Sequence, residues 1–173
     1  WGSPEVPLDA AKYTSWPRRI RVLRDGRIVL LAGVVQAAAG SQTRAEFSQV
    51  IEPALIVSTD QGRSWKGPIS AIRAEERGGW TEEFDVAELD GGDLLCVFRR
   101  ANDAKRWQSV LKKSADSWEA SPAGPSSLPH SGQPELLRTR EGPILHVATS
   151  GIQATRDAGQ SWHKLDVPGT AYY

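Results

Sequence analysis

The sequence predicts an all-β fold, on three observations. Seven tryptophans, eleven prolines and sixteen glycines occur in a chain of 173 residues. The apolar runs are short, and Asp-Gly, Gly-Gly or Glu-Gly pairs separate them, as turns do between strands. Long amphipathic helical patterns are scarce. The segments that read as strands are RRIRVL, RIVLLAGVV, ALIVST, FDVAEL, DLLCVF, QSVLKK, PELLRT and PILHVAT.

An internal repeat groups these strands into units. The segments RRIRVLRDGRIVLLA, FDVAELDGGDLLCVF and PELLRTREGPILHVA each read as a strand, a glycine turn and a second strand, which makes a hairpin. A second hairpin follows each one and ends in a box of the form S-x-D-x-G-x-S-W. The box is complete at 58–65, begins with Thr at 155–162, and is reduced to SADSW at 114–118.

Four strands per unit are typical of a β-propeller blade. The predicted blades span approximately 15–68, 80–120 and 130–168 of a partial propeller that covers 1–173, and a further strand starts at 170–173. Three blades do not close a ring, and an open stack leaves unpaired edges and an exposed core. We expect the remaining blades to come from a longer chain or from a second copy of this one.

The box has a structural explanation. Asp60 is placed to accept hydrogen bonds from the amides of its own turn, Gly62 supplies the positive φ that the turn needs, and Trp65 packs into the blade as an apolar plug. The same assignment holds for the box at 155–162. We therefore interpret the box aspartates as turn-closing residues and leave them out of the candidate site.

Composition excludes several classes of function. Lysine plus arginine and aspartate plus glutamate number 21 each, so the charge balance predicts no nucleic-acid partner. The single cysteine, Cys96, lies in the apolar run LLCVF and is predicted to be a buried small hydrophobe, which rules out a disulfide framework or a cysteine metal site. We predict no metal and no cofactor.

The longest apolar run, residues 28–39, is too short to span a bilayer, so no membrane segment is predicted. The first ten residues, WGSPEVPLDA, lack the basic and apolar regions of a signal peptide. Secretion stays open, because a processed chain would look the same.

With its boxes and hairpins, the sequence resembles the Asp-box, or BNR-repeat, proteins of the sialidase superfamily. One complete box, one box with Thr, one remnant and three matching hairpins carry the resemblance over nearly the whole chain. It implies a six-bladed β-propeller of four-stranded antiparallel blades, of which about three are present here. It also implies a glycoside hydrolase-like protein that acts on a terminal sugar of a glycan.

The resemblance assigns roles to residues in TEEFDVAELDGGDLLCVFRRA and GTAYY. Glu83 matches the acidic partner of the family's tyrosine nucleophile, and Arg99 matches the second of three arginines that bind the substrate carboxylate. The nucleophile falls on Tyr172, or less well on Tyr173. Tyrosine can attack a carbon beside a carboxylate where an anionic nucleophile is repelled, and an arginine fork reads the carboxylate. The alternative is a cross-strand ion pair on a rim and an ordinary strand tyrosine.

The family's first arginine belongs to an R-I-P motif that this chain does not keep. Aligning the proline of that motif with Pro17 puts Ser15 where the arginine should stand. The first arginine is therefore lost, unless Arg18, Arg19 or Arg21 takes its place from the adjoining strand.

Two further family residues are missing from the pattern. The third arginine has no counterpart in the segment 149–157, TSGIQATRD, where the only arginine lies inside the box turn. In place of the family's aspartate acid catalyst, the loop after the first hairpin offers only Glu46, with Arg44 beside it. Because the arginine triad is degenerate, we expect that the protein is not an efficient sialidase.

Histidines and tryptophans outside the boxes are secondary candidates. His130 lies in the loop LPHSG before a strand and is either a general base or sugar contact, or an exposed histidine without a role. We interpret His146 as a satisfied histidine of the core or of a sheet face and His163 as a solvated turn residue, and the three share no zinc-like spacing. Trp80 and Trp107 either stack on a sugar or pack between blades.

The sequence thus predicts a glycoside hydrolase-like propeller with catalytic Glu83 and Tyr172 and substrate-binding Arg99, His130 and Arg18. Its expected partner is a glycan or oligosaccharide, which favours an extracellular or periplasmic location. One alternative is a non-catalytic propeller that binds carbohydrate or protein. The other is a lyase or hydrolase acting on uronic-acid polymers.

Overall fold

The computed structural model describes residues 8–9, 12–36 and 51–167, and within them the chain forms strands and two short 3₁₀ turns, Ala74–Glu76 and Asp90–Gly92. No α-helix occurs in these ranges, which confirms the predicted all-β class. The strands are β1 (Tyr13–Val22), β2 (Ile28–Gln36), β3 (Glu52–Ser58), β4 (Lys66–Ser70), β5 (Trp80–Glu88), β6 (Leu94–Arg100), β7 (Lys105–Ser114), β8 (Ser117–Ala120), β9 (Gly124–Pro129), β10 (Glu135–Arg138), β11 (Ile144–Ala148), β12 (Gly151–Thr155) and β13 (His163–Leu165).

The strands form three antiparallel sheets in chain order. Sheet I has the order β1-β2-β3-β4, sheet II the order β5-β6-β7-β8, and sheet III the order β10-β11-β12-β13. The outer strand of sheet II is divided, since β8 pairs with the end of β7 while β9 pairs with its beginning. The four-stranded antiparallel unit is therefore confirmed, whereas the number of blades and their bounds stay predictions.

The first strands of the three sheets lie side by side and run in the same direction. Strand β5 contacts both β1 and β10. Just beyond the ends of β1 and β5, Arg24 pairs with Asp90, and Arg138 at the end of β10 binds the same carboxylate. The hairpin turns that follow these strands therefore meet at one end of the stack.

Because the sheets are antiparallel, the box turns lie at this same end. The turn 59–65 joins β3 to β4, and the turn 156–162 joins β12 to β13. We call this end, with the box turns and the hairpin turns 23–27, 89–93 and 139–143, the box side. The opposite end, with the starts of β1, β5 and β10, is the rim side.

Two apolar cores join the sheets. The larger core lies between sheets I and II, and the smaller lies between sheets II and III. Cys96 is fully buried in the larger core, as predicted, and burial raises the pKa of its thiol well above the ordinary value. Successive side chains of β5, β6 and β7 therefore face sheet I and sheet III in turn, because successive side chains of a strand point to opposite faces.

The boxes have the predicted hydrogen bonds. The amide and the hydroxyl of Ser64 both donate to Asp60, at 2.8 and 2.6 Å, and those of Ser161 donate to Asp157 at 2.9 and 2.6 Å. The Ser64 hydroxyl contributes most to lowering the pKa of Asp60 to about 2. Gly62 has a φ of +86°, the left-handed conformation that the turn was predicted to need.

The tryptophan plugs differ from the prediction. Trp65 and Trp162, which belong to the well-preserved boxes, are only partly buried. Trp162 packs against the core between sheets II and III, and Trp65 packs against a third apolar cluster on the other face of sheet I, which includes Ala32 and Ile56. In the remnant box, Trp118 is buried, donates its indole N–H to the Gly92 carbonyl at 2.9 Å, and lies 4.4 Å beneath the Arg27 guanidinium. The shortened turn between β7 and β8 sets this indole over the core between sheets I and II.

A single carboxylate connects the first strands of all three sheets. Asp85 of β5 is completely buried and accepts hydrogen bonds from Arg19 Nη1 at 2.8 Å and from Arg21 Nε at 3.0 Å, both on β1. It also accepts from the Leu136 amide of β10 at 2.7 Å. Arg21 in turn donates to the Leu136 carbonyl at 3.0 Å. Asp85 therefore fixes the relative position of the three sheets on their shared inner edge.

Removing the charge of Asp85 should destabilise the whole stack. In Asp85→Asn, two partly buried guanidinium groups lose their counter-charge, so we expect a loss of about 3 to 5 kcal/mol in the free energy of unfolding. Urea unfolding followed by tryptophan fluorescence measures the loss. The matched control is Asp90→Asn. Asp90 also bridges an arginine of β10 and an arginine of the turn after β1, but it is exposed. Equal losses in the two variants would show that Asp85 has no special role.

Candidate functional site

The structure brings Glu83 and Arg99 together on the rim side. The pairing of Phe84 with Phe98 sets residue 83 opposite residue 99 on β5 and β6. Arg99 Nη1 donates to Glu83 Oε2 at 2.5 Å, and the side chains of Arg99 and Glu83 are 39% and 19% exposed. Both residues predicted for this part of the site thus form one half-buried ion pair. The same geometry fits the alternative of a cross-strand pair on a rim.

Local backbone structure positions this pair. The register of β5 against β6 shifts between Trp80 and Phe84, and Thr81 bridges the irregularity. The Thr81 hydroxyl donates to the Arg99 carbonyl at 3.3 Å and accepts from the Glu83 amide at 3.1 Å. The Thr81 hydroxyl thus satisfies one main-chain group of each residue of the pair, the Arg99 carbonyl and the Glu83 amide.

Sheet I approaches this end of β5 through a glycine. A Cβ atom at Gly33 would lie 2.5 Å from the Cβ of Glu82, which is closer than real Cβ atoms come to one another. Only a residue without a side chain lets β2 pack this tightly against β5. The contact fixes the rim edge next to Glu83.

Arg106 is a buried neighbour of the pair that the sequence reasoning missed. The pairing of Phe98 with Trp107 sets residue 106 opposite Arg99, so the three charged residues lie on adjacent strands. Arg106 is 0% exposed, and Nη2 donates to the carbonyls of Ser131, at 2.5 Å, and Gly132. Burial lowers its pKa to about 10, and the charge of Arg99 acts in the same direction while Glu83 opposes it.

His146 does not have the predicted environment. The ring is 0% exposed and packs edge-on against Trp162 at 6.0 Å, but neither nitrogen has a hydrogen-bond partner among the described residues. The prediction of a satisfied core histidine is therefore right about burial and wrong about hydrogen bonding. Burial, with a smaller contribution from the charge of Arg106, lowers the pKa of His146 to about 4.

His130 lies at the rim in the loop before β10, as predicted, and is half buried. Its Nδ1 donates to the Asp103 carbonyl, and its amide donates to the Ala104 carbonyl at 3.2 Å. Among the described residues no hydrogen bond or ion pair links it to Glu83 or Arg99. His163 is exposed at the start of β13, as a solvated residue should be.

The three arginines of β1 that could replace the first arginine have different environments. Ser15 lies opposite Val34 on β2, and Arg18 sits at an irregularity of β1, exposed and without an ion pair to any described residue. Arg19 and Arg21 point their guanidinium groups into Asp85 instead. Their charges are thus used to hold the sheets together.

Trp80 and Trp107, the tryptophans considered as sugar contacts, pack within the rim. Trp80 is 1% exposed, with its ring 5.5 Å from Phe98 and 5.7 Å from Trp107. The Arg100 guanidinium lies over both indoles, at 5.2 and 4.7 Å, and Trp107 donates to Asp103 at 2.7 Å. This arrangement favours the packing alternative over a sugar-stacking role for Trp80.

Several predicted residues lie outside the described ranges: Tyr172, Tyr173, Glu46 and Arg44. The part of the chain that the structure describes contains no group of three or more His, Cys, Asp or Glu side chains able to hold a metal ion. Within the same ranges, no helix has the length and apolar character needed to cross a bilayer.

Comparison with known proteins finds similarity in structure rather than in sequence. No model of a known protein family matches the chain, and no curated protein matches it significantly. A GH43 β-xylosidase/α-arabinofuranosidase from a compost microbial metagenome, solved with xylotriose, matches with a TM-score of 0.58 at 14% identity, over 84% of this chain and 45% of its own. The NanB sialidase from Streptococcus pneumoniae matches with a TM-score of 0.54 at 12% identity, over 93% of this chain and 41% of its own.

These similarities concern the fold. They support a propeller fold like that of the sialidase and glycoside hydrolase enzymes, in agreement with the class predicted from the boxes and hairpins. The chain spans less than half the length of each of these proteins.

The buried imidazole should make the protein sensitive to mild acid. Because the pKa of His146 is lowered to about 4, its contribution to stability is complete above the unfolded-state pKa of about 6.5 and is lost as the pH falls toward 4. Between pH 7 and pH 5 we expect the wild type to lose about 2 kcal/mol through this group. Urea unfolding in a halide-free buffer, compared with His146→Leu, isolates the effect. An identical pH dependence in the two proteins would contradict the assignment.

Proposed function

We propose that this chain is part of a glycoside hydrolase-like propeller that holds an acidic terminal sugar of a glycan at its rim side. The observation that supports this most directly is the Glu83–Arg99 pair, a carboxylate and a guanidinium in contact at 2.5 Å. In this proposal Arg99 turns its exposed nitrogens to the sugar carboxylate, while Glu83 acts as the base for the nucleophile predicted at Tyr172. His130 and Arg18 are secondary sugar contacts in this proposal.

The similar solved structures support a carbohydrate ligand. The GH43 enzyme was solved with xylotriose, and the second protein is a sialidase. Glu83 and Arg99 lie at the end of the sheets away from the box turns. A ligand at the rim would therefore leave the turn-closing aspartates untouched.

We further propose that the protein is not an efficient sialidase. Arg19 and Arg21, which could have replaced the first arginine, are both engaged by the buried Asp85. A single arginine in place of three removes two charged hydrogen-bonding groups. Each of them would contribute about 1.5 to 3 kcal/mol to binding of the sugar carboxylate. A sugar that needs only one carboxylate contact, such as a uronic acid, suits Arg99 better.

Exposed apolar side chains on sheets I and III support a larger assembly. Sheet III exposes Leu137 at 57% and Leu165 at 38%, and on β1 of sheet I Ile20 and Val22 are 59% and 71% exposed. Large apolar side chains exposed on strands suit a packing interface. We propose that further blades, from a longer chain or a second copy, cover these side chains and complete the ring.

Two alternatives make different use of the same pair. A non-catalytic propeller would bind the glycan, or a protein, through Arg99 without cleaving it. A lyase or hydrolase for uronic-acid polymers would need His130 and Tyr172 close to the bound sugar. Assays with aryl glycosides and uronic-acid polymers separate the three, since each class predicts a different product or no product.

The substitution Arg99→Gln tests the carboxylate contact. We expect it to weaken binding of a glucuronate-terminated oligosaccharide by about 10- to 100-fold, the loss of one charged hydrogen-bonded contact. Binding of the glucose-terminated counterpart should change little. Isothermal titration calorimetry measures both affinities.

The control is Arg63→Gln, an exposed arginine of a box turn on the opposite side, which removes the same charge and should leave both affinities unchanged. An equal loss in the two variants would indicate diffuse electrostatics rather than a site. Efficient release of sialic acid from a sialyl aryl glycoside would overturn the proposal of a non-sialidase.

A further inference from the structure

A cluster of unsatisfied polar groups is buried between sheets II and III, beneath the Glu83–Arg99 pair. The atoms without a hydrogen-bond partner among the described residues are Arg106 Nε and Nη1, both ring nitrogens of His146, and Ser150 Oγ. Arg106 and His146 are both 0% exposed. Leaving several such groups unpaired in a protein interior is costly, so each calls for a partner.

A chain of contacts between the two sheets links these groups, and the charge of Arg106 acts on His146. Arg106 on β7 donates to the carbonyls of Ser131 and Gly132, and the Ser131 hydroxyl accepts from the Ser150 amide at 2.9 Å. The ring of His146 lies 6.0 Å from that of Trp162. The Trp162 indole donates at 3.1 Å to Gln108, which is two residues from Arg106 on the same face of β7.

The charge of the cluster selects the kind of partner. Arg106 and Arg99 carry two positive charges and Glu83 one negative charge, and Glu83 is already bonded to Arg99. His146 stays neutral at pH 7 because its pKa is lowered to about 4. The groups that lack partners are then almost all donors: the guanidinium N–H groups, one imidazole N–H and a serine O–H.

We propose that the space between Arg106, His146 and Ser150 binds a small monovalent anion of halide size. Arg106 supplies the positive charge and donates hydrogen bonds from Nε and Nη1, while His146 and Ser150 each donate one further hydrogen bond. A halide satisfies donors and offsets charge together, whereas a water molecule satisfies donors only. Complete burial of Arg106 and His146 excludes a sugar or a sulfate.

The remaining charged groups of the neighbouring strands do not provide the missing anion. Asp85, on the same face of β5, is shared by Arg19 and Arg21. Glu135, on β10, pairs with Arg19 at 2.5 Å. The bound anion would fix the loop 131–132 against β7 and hold sheet III in place next to the rim.

Equilibrium unfolding at constant ionic strength tests the site. Sodium methanesulfonate is replaced stepwise by sodium chloride at pH 7, and the urea midpoint is measured at each step. We expect the midpoint to rise and then saturate, since a ligand that binds only the folded state stabilises it by mass action. Bromide should reproduce the rise and sulfate should not. A midpoint that is independent of chloride would overturn the proposal.

Variants link any chloride effect to the cluster. Ser150→Ala, which removes one donor, should weaken the apparent chloride affinity by about 2- to 10-fold, and Arg106→Gln should abolish the dependence. Arg63→Gln serves as the control and should behave like the wild type. Two results would overturn the proposal even if Arg106→Gln fails to fold. The first is a chloride dependence that is unchanged in Ser150→Ala. The second is a crystal in which the anomalous scattering peaks of bromide lie elsewhere.

Discussion

The buried carboxylate of Asp85 is the constraint on which the arrangement of the three sheets depends. It lies in the middle of β5 and takes hydrogen bonds from β1 on one side and from the β10 main chain on the other. Because its donors include two guanidinium groups and two backbone amides, the carboxylate stays satisfied without water. Asp85 holds the first strands side by side, and Asp90, which binds Arg24 and Arg138 beyond their ends, shows that they run in one direction with their turns at a common end.

This common direction separates structure from candidate function. The box side holds the self-contained boxes, in which Asp60 and Asp157 accept hydrogen bonds from groups of their own box. The rim side holds Glu83, Arg99 and the buried Arg106 on three adjacent strands. The same interaction also limits the chemistry of the site, because Arg19 and Arg21 cannot serve both Asp85 and a ligand carboxylate. This engagement of Arg19 and Arg21 underlies our proposal that the arginine set is degenerate.

The sequence was informative where structure is local. Turn chemistry revealed the hairpins and boxes, and strand register within one hairpin was enough to pair Glu83 with Arg99. It was uninformative where sheets meet. The ion pairs of Asp85 join residues separated by 64 and 66 positions, and neither periodicity nor turn residues carry a signal of that contact. For the same reason Arg106 was overlooked and His146 was expected to be satisfied, since both face another sheet.

The central claim is that the rim side, at Arg99, is where this protein meets a sugar carboxylate. The most direct measurement is a crystal structure of the chain with a bound glucuronate-terminated oligosaccharide. Our account predicts the carboxylate within hydrogen-bonding distance of the Arg99 guanidinium, with Glu83 beside the sugar and the box turns free of ligand. A sugar bound instead at the box side, among Arg24, Arg138 and Arg140, would contradict it.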